Sequence, residues 1–442
     1  MAIVGGGPGG LLTALFLRRA ASRPTGITIF EASGRLGGKI LTPFFSAAPI
    51  RYEAGAAELY DYTPVGVDPL RELVAELGLP TTPLGGASVI MDGRRLSNLD
   101  DIAESLGQAA RRELQAFDTR ARGGMTPREF YASDESPPAP PTPFSRELDR
   151  ISAPTLRRYV ETLIHSDLAT EPALTSASYG LQNYLMNDPA YMRLYSIAGG
   201  NDQLIAALAA RLDATVRLGE RVTHVGPGST RPLRVTAHAA GEEVTSDFDA
   251  VVLALPVQHL NAVVFKGDRL AAAMRRHCHE HDHPAHYLRV TALFDEPFWR
   301  AAIDGSYLML DAFDGCCLYD ESSREPDSRY GVLGWLMGGR AAVALAALDD
   351  ETLVNRAIDS LPASFGDARS RLMEARVHRW TGAVSSLPGG WRPRGIDRRH
   401  QPEPISHPNL FVVGDYLYDS TLNGVLDSAD HVAGWLAALA TA

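Results

Sequence analysis

The chain of 442 residues has little cysteine, and no long apolar segment interrupts it. Its three cysteines, Cys278, Cys316 and Cys317, are odd in number and too few for a disulfide framework, which favours a reducing compartment. No run approaches the roughly 18 apolar residues that a membrane-spanning helix needs, and no cationic leader precedes the first strand. We therefore expect a cytoplasmic protein with no integral membrane segment.

Positive charge is also scarce. The chain has 42 Lys+Arg against 53 Asp+Glu, a net charge of -11, so it has no basic surface for a phosphate backbone, and nucleic acid is not an expected partner. Only Lys39 and Lys266 are lysines, a bias towards arginine that is typical of GC-rich bacterial coding. With 45% hydrophobic and 21% charged residues, the composition is that of a globular protein and excludes disordered and fibrous classes.

The N-terminal segment follows the pattern of a strand, a helix and a second strand. The apolar strand at 2–4 precedes a glycine-rich turn, and the second strand ends at Glu31. Gly5, Gly7 and Gly10 give the spacing G-x-G-x-x-G, and Glu31 follows Gly10 by 21 residues. Glycines let the backbone approach a pyrophosphate, a helix N-terminus favours anions, and the carboxylate accepts hydrogen bonds from ribose hydroxyls. The unit therefore predicts a dinucleotide site.

Further along the chain, the pattern predicts a mixture of helices and strands. The amphipathic segment 69–77 predicts a helix that Gly78 ends, and the proline-rich segment 133–143 predicts an exposed loop or linker. The stretch 144–186 has helical spacing and predicts a helical subdomain. Predicted strands lie at 221–225, 250–255, 287–294, 307–310, 332–336 and 409–413, and a last helix at 425–439.

Five segments together point to a known family. They are EASGRLGGK at 31–39, RYEAGA at 51–56, GGNDQL at 199–204, DAVVLALP at 249–256 and NLFVVGD at 409–415. In these segments the chain resembles the FAD-dependent amine oxidase family and its relatives, the protoporphyrinogen oxidases and carotenoid desaturases. The resemblance implies an α/β fold with a discontinuous Rossmann-like FAD-binding domain and an inserted substrate domain of mixed sheet and helices.

The resemblance also implies how FAD is held. Arg35 would meet the pyrophosphate, the backbone of Val222 would pair with adenine, and Asp415 would reach the ribityl or pyrophosphate region; ordinary surface charges are the alternative for Arg35 and Asp415. The amides of 423–425 would face the flavin N1/C2 edge, where a helix N-terminus favours the anionic reduced form. The residues expected to bind FAD are Gly5, Gly7, Pro8, Gly9, Gly10, Glu31, Ala32, Arg35, Gly37, Gly38, Lys39, Gly55, Ala56, Ala57, Val222, Gly414, Asp415, Asn423, Gly424 and Val425.

Two departures from the family concern its cysteine and its lysine. Relatives often carry a cysteine for covalent flavin attachment before the C-terminal helix, but 417–422 has none, so noncovalent FAD is expected. Relatives similar to monoamine oxidases carry a lysine nine residues before a Phe-Trp pair, and here Arg289 stands nine residues before Phe298. This departure puts oxygen activation by a lysine near flavin N5 in doubt. Arg289 is a catalytic candidate in its place, although arginine keeps the charge but not the compact ammonium, and a simple surface role is an equal alternative.

Few other residues are candidates for chemistry, because hydride transfer to flavin N5 needs little acid-base machinery. Glu58 follows the segment that would pass the flavin ring, so it is predicted to bind a cationic amine or take its proton, with a structural ion pair as the alternative. Trp380 and Tyr416 are candidate aromatic walls of the substrate site, with core packing as the alternative.

The segment 277–286 contains five histidines and suggests a metal site at first sight. On an extended strand His277, His279, His281 and His283 would share one face, but metal ligands usually converge from separate elements. We therefore predict no metal and a solvated connection. Adjacent Cys316 and Cys317 lack C-x-x-C spacing and are predicted to be buried or incidental thiols.

The sequence thus predicts an FAD-dependent enzyme with two domains. The FAD-binding domain is predicted at 1–68, 196–262 and 395–442, and the substrate domain at 69–195 and 263–394, with a helical part near 144–190. Oxidation of a C–N bond in an amine, amino acid or amide-like small molecule is the favoured activity. The alternatives are C–C desaturation and, outside enzymes, binding without flavin chemistry, as in the Rab GDP-dissociation inhibitors. The electron acceptor, O2 or another, and the oligomeric state stay open.

Overall fold

The computed structural model describes residues 1–86, 88–131, 142–303, 305–387, 394–418 and 420–439. Most of the proline-rich segment predicted as a linker lies outside this part of the chain. The strands are β1 (Ala2–Val4), β2 (Thr28–Glu31), β3 (Leu59–Asp61), β4 (Thr81–Leu84), β5 (Ser88–Met91), β6 (Arg94–Leu96), β7 (Arg193–Ile197), β8 (Thr215–Leu218), β9 (Arg221–Pro227), β10 (Leu233–Ala239), β11 (Glu242–Phe248), β12 (Val251–Leu253), β13 (Val264–Phe265), β14 (Pro284–Phe294), β15 (Tyr307–Leu310), β16 (Cys316–Asp320), β17 (Gly331–Gly338), β18 (Leu372–Ser385) and β19 (Leu410–Val412).

Helices lie between and around these strands. They are α1 (Pro8–Ala20), α2 (Pro69–Glu76), α3 (Leu99–Leu106), α4 (Gln108–Gly124), α5 (Pro127–Tyr131), α6 (Ser145–Leu148), α7 (Pro154–Leu168), α8 (Ala177–Leu185), α9 (Asp202–Ala210), α10 (Val257–Leu260), α11 (Asp268–His281), α12 (Gly339–Leu345), α13 (Asp350–Asp359), α14 (Ile396–Arg399) and α15 (Leu422–Leu439). Among the described residues, no helix combines the length and apolar character needed to cross a membrane.

A parallel five-stranded sheet carries the dinucleotide motif. Its strand order is β19-β12-β1-β2-β8, and every neighbouring pair is parallel. Helix α1 buries Leu11 and Leu12 against this sheet in one apolar core with residues of α15. The predicted strand, helix and strand are therefore confirmed. Because all five strands are parallel, their carboxyl ends meet at one edge, where the glycine turn and Glu31 both lie.

A second, mixed sheet of seven strands has the order β18-β14-β17-β16-β15-β5-β6. Successive residues of β14 point to opposite faces. Leu288 and Val290 pack with Trp335 into the core on one face, while Tyr287 and Arg289 belong to the other. The helical layer predicted within 144–186 is confirmed as α6, α7 and α8, whose apolar residues form a separate core with α3 and α4.

Two helices depart from the predicted domain boundaries. Helix α2 was assigned to the substrate domain, but Leu70 and Leu73 are buried in the same core as the first helix of the dinucleotide unit. Helix α11 was also assigned there, but Leu270 and Met274 are buried with strands β1, β12 and β19. Each helix thus shares a core with elements of the predicted FAD-binding domain, although the predicted boundaries at 68 and 262 place it in the substrate domain.

The prediction for the histidine-rich segment is also wrong. Residues 277–281 end helix α11 and are not an extended connection, and His277 and His281 lie buried, one helical turn apart. The apolar residues Leu270, Ala273, Met274 and Cys278 have the same helical spacing, which explains the conformation. Burial lowers the pKa of His281 to about 3 and that of His277 well below its ordinary value. No group of three or more ligating side chains in the described residues suits a metal ion.

Candidate active site

The glycine turn is built so tightly that two of its positions exclude any side chain. Gly5 has φ of +110°, and a Cβ atom there would lie 2.3 Å from the carbonyl oxygen of Ala254. A Cβ atom on Gly10 would lie 2.1 Å from the carbonyl oxygen of Gly5. Glycine is therefore required for the chain to turn from β1 into α1 beside β12.

The N-terminus of α1 has the features of an anion site. Gly7 is its N-cap residue and Pro8 its first residue, and within the described part of the chain no side chain caps the helix or places an acid in its first turn. The first amides of the helix thus face the carboxyl edge of the parallel sheet, where the oxygens of a pyrophosphate would accept their hydrogen bonds. A Cβ atom on Gly7 would stand 3.8 Å from the Cα of Gly38, which keeps the approach to this end open.

Glu31 is fixed beside the same turn. Its Oε2 accepts a hydrogen bond of 2.9 Å from the backbone N–H of Gly6, and its Oε1 accepts one of 2.8 Å from Ser33. Each oxygen keeps a further lone pair for a hydroxyl donor. Ala32, also a predicted contact, is exposed next to it. The geometry therefore suits the predicted ribose contact.

Residues from both ends of the chain meet at the loop after β2. The guanidinium of Arg35 donates to the carbonyls of Leu36, Gly38 and Ile40, which holds it against this loop. The Nζ of Lys39 lies 3.1 Å from Oδ2 of Asp415, which follows β19. The surface alternative for Asp415 does not hold, because the residue is 8% exposed and paired.

The segment Gly55–Ala57 passes close to this ion pair. A Cβ atom on Gly55 would lie 1.9 Å from the carbonyl oxygen of Lys39, so glycine is required here too. The indole Nε1 of Trp380 donates a hydrogen bond of 2.7 Å to the carbonyl of Ala54, and its ring lies against Gly55. Trp380 thus sits beside the predicted flavin segment.

The N-terminus of α15 approaches the same region. The N–H of Gly424 donates to the Oγ1 of Thr421, and Asn423 donates from its amide to Asp68 at the start of α2. The predicted contacts Asn423, Gly424 and Val425 are therefore held in the first turn of a helix. The remaining predicted contacts lie in separate elements. Gly9 lies against Val413, Gly37 is bonded to Gly6, Gly414 is bonded to Ser428, and Val222 in β9 pairs with Ala237.

Glu58 lies at the end of the flavin segment, under the seven-stranded sheet. The hydroxyl of Tyr319 donates a hydrogen bond of 2.7 Å to its Oε2. Burial raises the pKa of Glu58, while this hydrogen bond and the charges of Arg289 and Arg324 act in the opposite direction. The guanidinium of Arg289 lies 5.1 Å from the centre of the Tyr319 ring. Glu58 is therefore a positioned carboxylate without a direct ion pair in the described residues.

Arg289 is buried, in contrast to the surface position that is one of its two predicted roles. Its side chain is 0% exposed and forms an ion pair with Glu321. Glu321 also accepts a hydrogen bond of 2.8 Å from the backbone N–H of Glu53, whose own carboxylate lies 3.3 Å from Arg324. Burial raises the pKa of Glu53 to about 7. Glu53, Glu321 and Arg324 were not among the predicted site residues, and the adjacency of Glu53 to the glycine segment is the only signal for them in the sequence.

Tyr416 is packed in the core, which was the alternative to its predicted role as an aromatic wall. It is 3% exposed, its hydroxyl lies 3.2 Å from Nε2 of His277, and its ring packs against His281. These contacts give no support to the predicted role as a wall of the substrate site. The three cysteines are buried and free, as expected.

A pocket lies between the segment before α15 and the helical layer. Ser420 and Thr421, which directly precede α15, form part of its wall, and Tyr60, Tyr179 and Asp167 form another part. Tyr62, Tyr287, Gln182 and Asn183 also border it. Among the described residues that line this pocket, none is lysine, arginine or histidine. The pocket therefore combines aromatic faces and a carboxylate without any cation.

Comparisons with known proteins agree with this geometry. The model of the family described as flavin containing amine oxidoreductase matches residues 8–435. Putrescine oxidase bound to putrescine is 19% identical over 99% of this chain and 98% of that chain, with a TM-score of 0.75. Cyclohexylamine oxidase from Brevibacterium oxydans IH-35A is 19% identical over 100% and 99% of the two chains, with a TM-score of 0.74. A structure from Exiguobacterium sp. 255-15, named for the protoporphyrinogen oxidases, is 17% identical over 99% and 98%, with a TM-score of 0.72.

Proposed function

The chain belongs to the flavin-containing amine oxidoreductase family, and from this premise we propose that it oxidises a C–N bond of a small amine. It is an FAD-dependent oxidoreductase with a small-molecule substrate. The observation that carries the proposal is the pocket next to the segment before α15, which presents tyrosine faces and a carboxylate and, among its described residues, no cation. Such a lining favours a cationic or neutral amine over an anion.

The residues present fit FAD. The uncapped first turn of α1, the bare backbone at Gly5 and Gly10, and the fixed carboxylate of Glu31 form a dinucleotide cradle that any side chain at the two glycines would fill. Arg35, Lys39 and Asp415 would hold the groups between the adenosine and the flavin ring. When bound, FAD supplies the oxidant that takes a hydride from the carbon next to nitrogen.

In this proposal Glu58 prepares the amine. An amine arrives mostly protonated at neutral pH, and its nitrogen must be neutral when hydride leaves. The carboxylate of Glu58 holds the ammonium and accepts its proton, while Tyr319 orients the carboxylate through the hydrogen bond at Oε2. Trp380, whose ring lies against Gly55, would exclude water from the flavin ring.

The C–C desaturase alternative has less support in this pocket. A polyene or porphyrin substrate would have to cover Asp167 and the polar groups of Gln182 and Asn183 without a cation to offset the carboxylate. The similarity to putrescine and cyclohexylamine oxidases supports the amine proposal, although at these identities it concerns the fold.

Anaerobic mixing of the holoenzyme with a panel of amines, amino acids and polyenes tests the proposal. We expect primary amines to bleach the oxidised flavin spectrum, while amino acids and polyenes leave it unchanged. Bleaching by polyenes alone would replace the proposal with the C–C reading. Admission of air to the bleached enzyme then tests O2 as the acceptor.

The flavin is predicted to be bound without a covalent bond, because the segment before α15 has no cysteine. Acid precipitation of the purified holoenzyme should leave the yellow flavin in the supernatant. Flavin that stays in the protein pellet would contradict this prediction.

Replacement of Glu31 is predicted to weaken FAD binding. The Glu31→Ala variant loses two ribose hydrogen bonds, each worth about 1 kcal/mol or more, so Kd for FAD should rise roughly 30-fold. Fluorescence titration of the apoprotein with FAD measures this change. Glu76→Ala, which removes an exposed carboxylate from α2, is the matched control and should leave Kd unchanged. Equal Kd values for both variants would refute the ribose role.

A further inference from the structure

Asp167 is a carboxylate in the pocket to which the proposed reaction assigns no role. It lies one residue before the end of α7, whose neighbours Ile164 and Leu168 are buried in the helical core. Its side chain instead borders the pocket beside Tyr60 and Tyr179. Within the described part of the chain, its carboxylate has no hydrogen-bond or ion-pair partner.

The charges around Asp167 differ from those around Glu58. Two arginines, Arg289 and Arg324, act on Glu58 and favour its ionised form. Among the described residues, Glu58 is the only charged group that acts on Asp167, and burial together with that negative charge raises the pKa of Asp167 well above its ordinary value. The two carboxylates are thus close enough to influence each other, and in the part of the chain that the structure describes Asp167 has no compensating charge.

The ionised form of such a carboxyl group becomes favourable when a cation binds next to it. An ammonium group beside Asp167 would supply the opposite charge. Although it would lose its hydration, its ion pair with the carboxylate is strong in a poorly solvated site. Tyr60 and Tyr287, whose hydroxyl groups both lie in the field of Asp167, supply ring faces that attract cations. Gln182 and Asn183 add amide groups to the same wall.

We propose that Asp167 is a second cation subsite, which holds the non-reacting ammonium group of a substrate that carries two cationic nitrogens. This inference rests on the proposed amine oxidation, in which Glu58 takes the proton of the nitrogen that is oxidised. One carboxylate then serves the reacting end and the other the distant end of a diamine or polyamine. Amines with a carboxylate at the distant end, which include amino acids, are disfavoured because that group would face Asp167.

Binding to dithionite-reduced holoenzyme, measured by anaerobic calorimetry, tests the subsite without turnover. The probes are putrescine, N-acetylputrescine, which keeps the length but loses one charge, and n-butylamine. We expect putrescine to bind roughly tenfold tighter or more than both other probes. Asp167→Asn should remove this advantage and change Kd for n-butylamine less than about twofold, while Asp167→Glu should restore part of it.

Asp149→Asn, on the exposed side of the helical layer, is the matched control and should keep the preference for putrescine. Flavin content and thermal unfolding of each variant show whether it is folded, and Asp167→Ser replaces Asp167→Asn if that variant is not. Equal binding of the three probes by the unaltered enzyme, or a preference that survives the loss of Asp167, overturns the subsite. If amines bleach the flavin without that preference, the proposed function stands and the subsite fails. If the preference for putrescine depends on Asp167 but no amine bleaches the flavin, the subsite stands and the proposed function fails.

Discussion

Flavin reduction by an amine should slow roughly 100-fold in Glu58→Gln, while FAD content stays normal. Glutamine keeps the size of the side chain and an oxygen that accepts the hydrogen bond from Tyr319. It cannot accept the ammonium proton, so the fraction of neutral amine next to the flavin falls. Anaerobic stopped-flow reduction, normalised to bound flavin, measures the effect with the first amine that bleaches the unaltered enzyme.

Tyr319→Phe provides the matched control for this carboxylate. It keeps the ring beneath Arg289 but removes the hydrogen bond that lowers the pKa of Glu58. A base works in its deprotonated form, so reduction weakens as pH falls through its pKa, and the acid limb of the rate profile should move to higher pH in this variant. If Glu58 only supported the fold, Glu58→Gln would lose flavin or stability, and the remaining holoenzyme would be reduced at the normal rate.

The dinucleotide half of the site could be predicted from the sequence because its contacts are local. Gly5, Gly10 and Glu31 belong to one strand-helix-strand unit, and the close approaches that require glycine occur where the spacing places them. The same local reasoning failed for His277 and His281. The prediction of a solvated connection overlooked the helical period of the apolar residues before them, and burial of that face decided the conformation.

The substrate half could not be predicted in the same way. Glu53 and Glu321 are separated by 268 residues and meet through packing of the seven-stranded sheet on the glycine segment. Asp167 belongs to no sequence motif. It lies within α7, where the apolar spacing of the neighbouring residues predicts only a helix. Its position at the pocket depends on how α7 packs on strands β5, β15, β16 and β17 of the seven-stranded sheet, which spacing along the chain does not encode.

The prediction with the largest effect on stability concerns Arg289. Arg289→Met should destabilise the fold by about 3–5 kcal/mol, because it leaves the carboxylate of Glu321 buried without its partner. The second arginine does not replace it, since Arg324 lies 4.0 Å from Glu321 and already pairs with Glu53 at 3.3 Å. An ordinary surface substitution would change stability by only about 0.5 kcal/mol or less.

A double-mutant cycle separates the loss of charge pairing from the loss of packing. In Arg289→Met combined with Glu321→Gln, the amide oxygen still accepts the hydrogen bond from the N–H of Glu53, but no charge is left unpaired. We expect the double variant to be more stable than Arg289→Met alone, as measured by denaturant unfolding of the apoprotein. The stability of Arg289→Lys should fall between those of Arg289→Met and the double variant, since lysine keeps the charge but not the planar fork. Additive effects of the two single substitutions would mean that Arg289 and Glu321 contribute independently, and that the arginine at this position is not held in place by its carboxylate.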